Sequence, residues 1–509
     1  MSSQTSESPP ARTAKPLFPA TTGILRFVFS RRMLYLLIVM STLLAIAWQV
    51  ENWRGRARWE KTKAEILATG ESLDWRTFVP EALPDEENAA MHPVFDVTIV
   101  PQEPTQRNGG YAFKRDFEPL EKRYFSNIPG DLFRRESHAE LDFWWRNVCD
   151  NSGIEQPPES QRQAQEILAA TRDSEAGIEL ISEAFSRPGC HWFPYHEQLE
   201  DDGVLRISQV SQFATVSQGL AAATFIRALC HLENDDSHAA ATELLTSLHF
   251  SQSMNDRSII GTLVNITTGD IACRHLPLLL SLPEWSEQDL KAISDCLSDS
   301  EFLDQLYQTL CRTRAAGVYY FNALINGDQW AIDQVAEMGK HREWPQSKLL
   351  RAELISALPR GWLYQNMNNL TTRGLSINLQ HYDFESKRIV ETQAPKPPTA
   401  RDLSPYNFLS SSPDPDLWKV FKKSAIVQSQ WDLCRLLCAL ERHRRVHGEL
   451  PEKLEALVPE FLTELPHDYV TGLPPHYRIG AGGEAELATL DWEKTGNPET
   501  FLCRVPSSE

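Results

Sequence analysis

Residues 204–254 read "VLRISQVSQFATVSQGLAAATFIRALCHLE", then "NDD" at 234–236, then "SHAAATELLTSLHFSQSM". Apolar residues return every three to four positions on both sides of the acidic break, the spacing that lays one stripe along a helix. The stretch therefore reads as a long helix, a polar turn and a returning helix. Alanines at 221–223 and 239–241 leave room for the two backbones to approach closely. The pattern continues in "DRSIIGTLVNITTGDIACRHLPLLLSL" (256–282), which opens a further hairpin. In "SEQDLKAISDCL" (286–297), Ser286 and Asp289 stand in a capping-box arrangement just past Pro283. Long helix, polar turn and alanine-rich helix is tetratricopeptide-like grammar, without that repeat's regular length. The expected fold class is mainly α: an N-terminal transmembrane helix, an irregular α-solenoid of tetratricopeptide-like hairpins, and a small C-terminal α+β module.

Around these hairpins the chain divides by composition. A Ser/Thr/Pro-rich cytoplasmic tail, expected to be disordered, covers 1–24, and a transmembrane signal anchor covers 25–50. A membrane-proximal helix and extended segment (51–154) lead into the solenoid-like domain (155–390). A Pro-rich linker (391–418) then precedes the C-terminal module (419–509). The net charge of −19 is uneven: residues 1–50 carry +4, so the rest carries −23. A body this acidic repels polyanions, which argues against general nucleic-acid binding. The nine cysteines are scattered and form no CxxC pair. They read as small buried hydrophobes, with a disulfide left open if the body is exported.

The anchor is "RRMLYLLIVMSTLLAIAWQV" (31–50), two arginines before an apolar run interrupted only by Ser41, Thr42 and Gln49. From Met33 to Val50 the run is long enough to cross a bilayer core as a helix, with Tyr35 and Trp48 near its ends. Ala45-Ile46-Ala47 also resembles a signal-peptidase site, so a cleaved leader and a buried core helix stand as rival readings. Arg31-Arg32 abuts the run, whereas Arg54, Arg56, Arg58, Lys61 and Lys63 begin a few residues beyond it. That asymmetry favours a cytoplasmic N-terminus and a body exported to the periplasm. After the run, "RARWEKTKAEILATGESLDW" reads as a short amphipathic helix ended by Gly70, and "FVPEALPDEENAAMHPVFD" as extended chain.

In the tail, "SAIVQSQWDLCRLLCALERHRRVHG" (424–448) is an amphipathic helix whose last turn carries Arg442, His443, Arg444 and Arg445. Gly448 is placed to stop it in a left-handed turn, and Pro451 to open the short helix "PEKLEALV". "PHYRIG" and "AELATL" flank Ala-Gly-Gly-Glu as a β-hairpin, and "TFLCRV" adds a third strand. Gly448, Pro451, Leu454, Leu457, Phe461, Leu462, Pro466, Asp468, Gly472, Pro474 and Tyr477 follow a pattern. It resembles the globular domain of the type II secretion major pseudopilin. The family's Asp-Pro-Trp-Gly is replaced by Asp468-Tyr469-Val470-Thr471-Gly472, and the span has no prepilin-peptidase motif. The whole chain is also similar to a family of uncharacterised single-span bacterial envelope proteins. That likeness lies in "ENWRGRARWE" (51–60), Pro-Asp-Glu-x-Asn (84–88), the alanine-rich hairpins, "RGWLYQN" (360–366) and the tail.

The densest set of reactive side chains is "CHWFPYHEQLEDDG", Cys190 to Gly203, with His191, His196, Glu197, Asp201 and Asp202. Its spacing is not HExxH, and Pro194 prevents one regular helix from aligning it. An aromatic loop capping the hairpins is the favoured reading. No catalytic residue is assigned, and no metal or cofactor is expected. The function expected is a membrane-anchored exported scaffold that binds a protein partner of the envelope through helical hairpins, with no nucleic-acid partner. The alternative is an exported hydrolase using the Cys190–Gly203 loop.

Overall fold

The apolar run and the charged stretch after it form one helix, α1 (Arg31–Ala68), in a computed structural model of the chain. Described are residues 31–78, 81, 83–95, 97–101, 111–115, 163–192, 207–254, 259–274, 276–280, 282, 285–299, 301–341, 352–372, 379–390, 404–410, 417–480, 485–488 and 502–505. The tail 1–24 and most of the Pro-rich stretch 391–418 lie outside them. The separate helix expected after the span is corrected: no proline or turn sequence stands between Val50 and Gly70, so the backbone has no reason to break. Only the surroundings of its side chains change there. Up to Val50 α1 exposes Leu36, Leu37, Ile38 and Val39, long and apolar enough to cross a membrane. The hydroxyls of Ser41 and Thr42 both donate to the Ile38 carbonyl, at 2.9 and 2.8 Å, so neither asks for a partner outside the helix.

After three short 3-10 turns between Trp75 and Phe95, β1 (Val97–Pro101) and β2 (Tyr111–Arg115) form an antiparallel hairpin. The 3-10 turns replace the extended chain expected there. The helical body then runs α2 (Gln163–Ala170), α3 (Arg172–Phe185), α4 (Ile207–Leu232), α5 (Ser237–Gln252), α6 (Ile259–Cys273) and α7 (Leu276–Leu280). It continues with α8 (Glu287–Ser298), α9 (Phe302–Asn326), α10 (Gln329–His341), α11 (Ala352–Ser356) and α12 (Arg360–Thr372). A small hairpin, β3 (Tyr382–Asp383) with β4 (Arg388–Ile389), precedes α13 (Trp418–His447). The chain is mainly helical, and its described strands close no barrel.

The α4–α5 hairpin turns where the sequence places it. Asp236 accepts from the Ala239 amide at 3.0 Å and caps α5, while Asp235 takes a left-handed φ of 59°. Phe213–Leu232 of α4 is apolar enough to pass for a span, but it is core, with Leu220, Ala222 and Ala228 fully buried. Arg227, 1% exposed, crosses that core. Its guanidinium donates to Glu243 of α5 at 2.9 Å and to the Thr171 hydroxyl between α2 and α3 at 3.0 Å. Paired and bonded, the buried charge fixes how the two hairpins sit together. Ser286 caps α8 as expected, accepting from the Asp289 amide at 3.1 Å. Asp289 also accepts from the Ser237 hydroxyl at 2.7 Å and so joins the start of α8 to the start of α5.

The helix α13 lies against α6, α7, α8 and α9. Its Trp431 is fully buried, edge-on to Phe302 at 5.3 Å, and Gln428 accepts from the Phe302 amide at 2.8 Å. The tail and the hairpins thus share one core, which also takes in Leu454, Leu457, Phe461, Ala485 and Leu487. Gly448 ends α13 at φ 80°, its amide donating to the Arg444 carbonyl at 2.7 Å. The short helix after Pro451 is only a 3-10 turn, Leu454–Leu457, because Pro459 allows no further turn. β5 (His476–Ile479), β6 (Ala485–Ala488) and β7 (Leu502–Val505) form the antiparallel sheet in the expected order.

An extensive packing seam joins α1 to α12, which run parallel. Asn52 accepts from the Gly361 amide at 2.8 Å, Arg58 donates to Gln365 at 3.2 Å, and Thr62 donates to Asn368 at 2.6 Å. The backbones meet at two glycines. A β-carbon on Gly55 would stand 2.7 Å from the Gly361 Cα, and one on Gly361 would stand 2.8 Å from the Asn52 Cα. The close atoms are backbone, so no rotamer change relieves the overlap. Gly361→Ala is expected to destabilise the body by about 1–3 kcal/mol. Arg56→Ala, on the exposed side of the same turn, should cost less than about 0.5 kcal/mol. Thermal unfolding of the detergent-solubilised chain checks both; equal midpoints for Gly361→Ala and the parent would disprove the close approach.

Candidate functional site

The described part of the reactive stretch is Cys190, His191 and Trp192; residues 193–203, with His196, Glu197, Asp201 and Asp202, lie outside the described residues. The three described residues are held by the Pro-Asp-Glu-x-Asn turn. Asn88, 6% exposed, accepts from the His191 amide at 2.8 Å and donates to the His191 carbonyl at 3.0 Å. The Ala89 amide donates to the Gly189 carbonyl at 2.7 Å, and Arg187 donates to the carbonyls of Asp85 and Asn88 at 3.0 and 2.9 Å. The side chain of Asn88 thus extends, by one residue's pair of bonds, the short parallel bridge that its own backbone makes with Gly189. Trp192 then turns inward onto Phe95 and Phe213, ring centroids 4.8 and 5.3 Å away, and donates to the Ser253 hydroxyl at 3.0 Å. This is an aromatic plug fixed at its polar end. The backbone of His191 serves that architecture.

Other candidate groups also have structural partners. Arg442 meets Glu287 at 2.7 Å, Arg444 and Arg445 both meet Glu441 at 2.8 Å, and Arg445 also reaches the Trp285 carbonyl. The basic cluster is spent on holding α13 to α8 and to its own last turns. Asp468 accepts from the amides of Val470 and Thr471 at 3.0 and 2.7 Å, closing a tight turn, and Tyr477 donates to the Pro451 carbonyl at 2.8 Å. Cys190, Cys230, Cys273, Cys296, Cys311, Cys434 and Cys438 form no disulfide. Burial pushes the Cys230, Cys296 and Cys438 thiols up to about 12, which makes them poor nucleophiles. Among the described residues no three His, Cys, Asp or Glu converge to hold a metal ion.

The concave feature that the sequence does not announce lies beside the α1–α12 seam. An open cleft of about 410 Å³ forms between the outer end of α1, the Ser72–Asp74 segment, α9 and α12. Trp59, Leu67, Leu73 and Tyr364 give it an apolar wall, and Glu60 and Lys63 stand at its rim. That volume and mixed lining suit a few side chains of a bound segment. The floor is fixed: Trp59 is 4% exposed and packs with Leu363 and Met367 of α12. Glu71, at the turn out of α1, pairs with Arg314 of α9, whose pKa burial pulls down to about 10. No protein-family model matches the chain, and neither a curated protein nor a solved structure matches it.

The clasp carries its own pH dependence. Burial, reinforced by the positive charge of Arg187, lowers the pKa of His92, and the His92 Nδ1 accepts from the Val94 amide at 3.2 Å. The unfolded chain gains a proton at the ordinary value of 6.5, where the folded imidazole of His92 is still neutral. Its contribution to stability is therefore whole above that pH and is lost as the pH falls below it. Asn88→Ala should cost roughly 2–3 kcal/mol by leaving buried amides unpaired. Urea unfolding at a series of pH values checks both. A midpoint flat below pH 6.5, or one unchanged in Asn88→Ala, would contradict the clasp.

Proposed function

We propose that the protein is a membrane-anchored scaffold of the bacterial envelope, with an exported body that binds a protein partner. The observation that carries this reading is the cleft of about 410 Å³ walled partly by α1 itself. A site built from the anchoring helix exists only when that helix is docked on the body, so binding and membrane tethering share their residues. The helices α9 and α12 give that cleft a fixed frame, and the pseudopilin-like pattern in the tail accounts for the helix-turn-sheet order after Gly448. The double arginine before the span supports an N-terminus kept in the cytoplasm and a periplasmic body.

Two measurements test it in the intact chain. A reporter fused after Glu509 should be active outside the cytoplasm; activity inside would overturn the orientation. A photo-crosslinking amino acid at Lys63, on the cleft rim, should give a discrete protein adduct in native membranes, and one at Val446, exposed on the last turn of α13, should not. Leu67→Asp, which puts a charge on the apolar wall, should reduce the Lys63 adduct about tenfold. Adducts that are equal at both positions, or indifferent to Leu67→Asp, would reject the cleft as the binding site.

A further inference from the structure

The seam between α1 and α12 fixes more than the cleft. The two helices are parallel: contacts pair Asn52 with Gly361, Arg58 with Gln365, and Thr62 with Asn368. The apolar run ends at Val50, and Gly361 packs on the backbone of Glu51 and Asn52. At a rise of about 1.5 Å per residue, the first turn of α12 lies within about 3 Å, along the helix axis, of where the apolar run ends. Headgroups add roughly 5–8 Å on each side of the hydrocarbon. The first turn of α12 therefore stands inside the headgroup layer of any bilayer that α1 spans. Its last residue, Thr372, is about 18 Å further out.

The chemistry at that level suits phosphate. Trp53 is 71% exposed and Trp48 is 41% exposed, the aromatic pair expected at a lipid–water boundary. Arg360, the first residue of α12, is exposed. Arg54 is half exposed, pairs with Glu51 at 3.1 Å and lies over the Tyr406 ring at 5.4 Å. The body beyond residue 50 carries −23, so arginines gathered at this level run against its overall charge. A positive N-terminal helix end adds to the same field. We infer that the body is seated on the bilayer through the first turn of α12, where Arg360 and Arg54 contact the headgroups of anionic phospholipids beside Trp53. This rests on reading Met33–Val50 as a span, and it holds for either orientation of the chain.

The test uses the full chain reconstituted in vesicles of phosphatidylcholine containing about one third phosphatidylglycerol. A photo-crosslinking amino acid at Ala357, exposed just before α12, should yield lipid adducts, whereas the same group at Thr372 should yield roughly tenfold fewer. Mass spectrometry of the Ala357 adducts should show phosphatidylglycerol enriched about threefold or more over its share of the vesicle. Arg54→Gln with Arg360→Gln should return that ratio to the bulk value, with the thermal midpoint unchanged to show that the seam is intact. Inorganic phosphate in excess should leave the ratio as it was, which separates a lipid surface from a free-anion site. Equal adducts at Ala357 and Thr372, or none at either, would overturn the seat. A bulk ratio in the unsubstituted chain, or displacement by inorganic phosphate, would overturn the lipid recognition. Release of the chain from membranes by alkaline carbonate would instead overturn the span itself, a separate outcome.

Discussion

The contact of Gly55 with Gly361 is the constraint on which the arrangement of the molecule depends. Two backbones meet with no side chain between them, so the position of α1 against the body is set at that point. Trp59, Leu363 and Met367 supply the buried apolar area around it. The polar ties from Asn52, Arg58 and Thr62 supply direction, since a hydrogen bond fails when a helix rotates or slides by one residue. Apolar packing alone would tolerate several registers, and the three ties select one.

The second organising element is α13. A stack of hairpins buries one face of each helix against its neighbour and leaves the faces at its edge open. Here a helix from far along the chain fills that space, with Trp431, Leu433, Leu436 and Leu437 buried along its length. The tail that follows is held to the same core by Leu454, Leu457 and Phe461. The membrane seam and the α13 seam lie on different parts of α9, which touches both α12 and α13. That long helix is the beam between them.

What could be read from the sequence was local. Asp236 and Ser286 cap helices, Gly448 stops one, and the strands around 480 and 503 pair in chain order, because each signal is complete within a few residues. What could not be read was pairing. "ENWRGRARWE" and "RGWLYQN" were both visible as distinct motifs, yet nothing in either announces the other, with 306 to 309 positions between bonded partners. Asn88, in a stretch that reads as extended chain, is a clasp, since its partners at His191 lie 103 positions away. The break expected after Val50 had a different cause. A change from lipid to water alters which side chains are suitable but leaves the backbone helical, and hydropathy was taken for a boundary in structure. For the candidate site, the reactive stretch was visible in composition, whereas the cleft was not, because four separate segments wall it.

The unbroken course of α1 has a mechanical side. Its 38 residues make a rod about 57 Å long, clamped at one end by α12 and exposing Leu34 to Val39 in its apolar run. A clamped rod transmits torque. If the helix stays straight, tilting the body by about ten degrees about the Asn52 contact would sweep the Arg31–Arg32 end through roughly 5 Å. The helix is thereby also a lever, and a load applied to the body becomes a displacement at its far end.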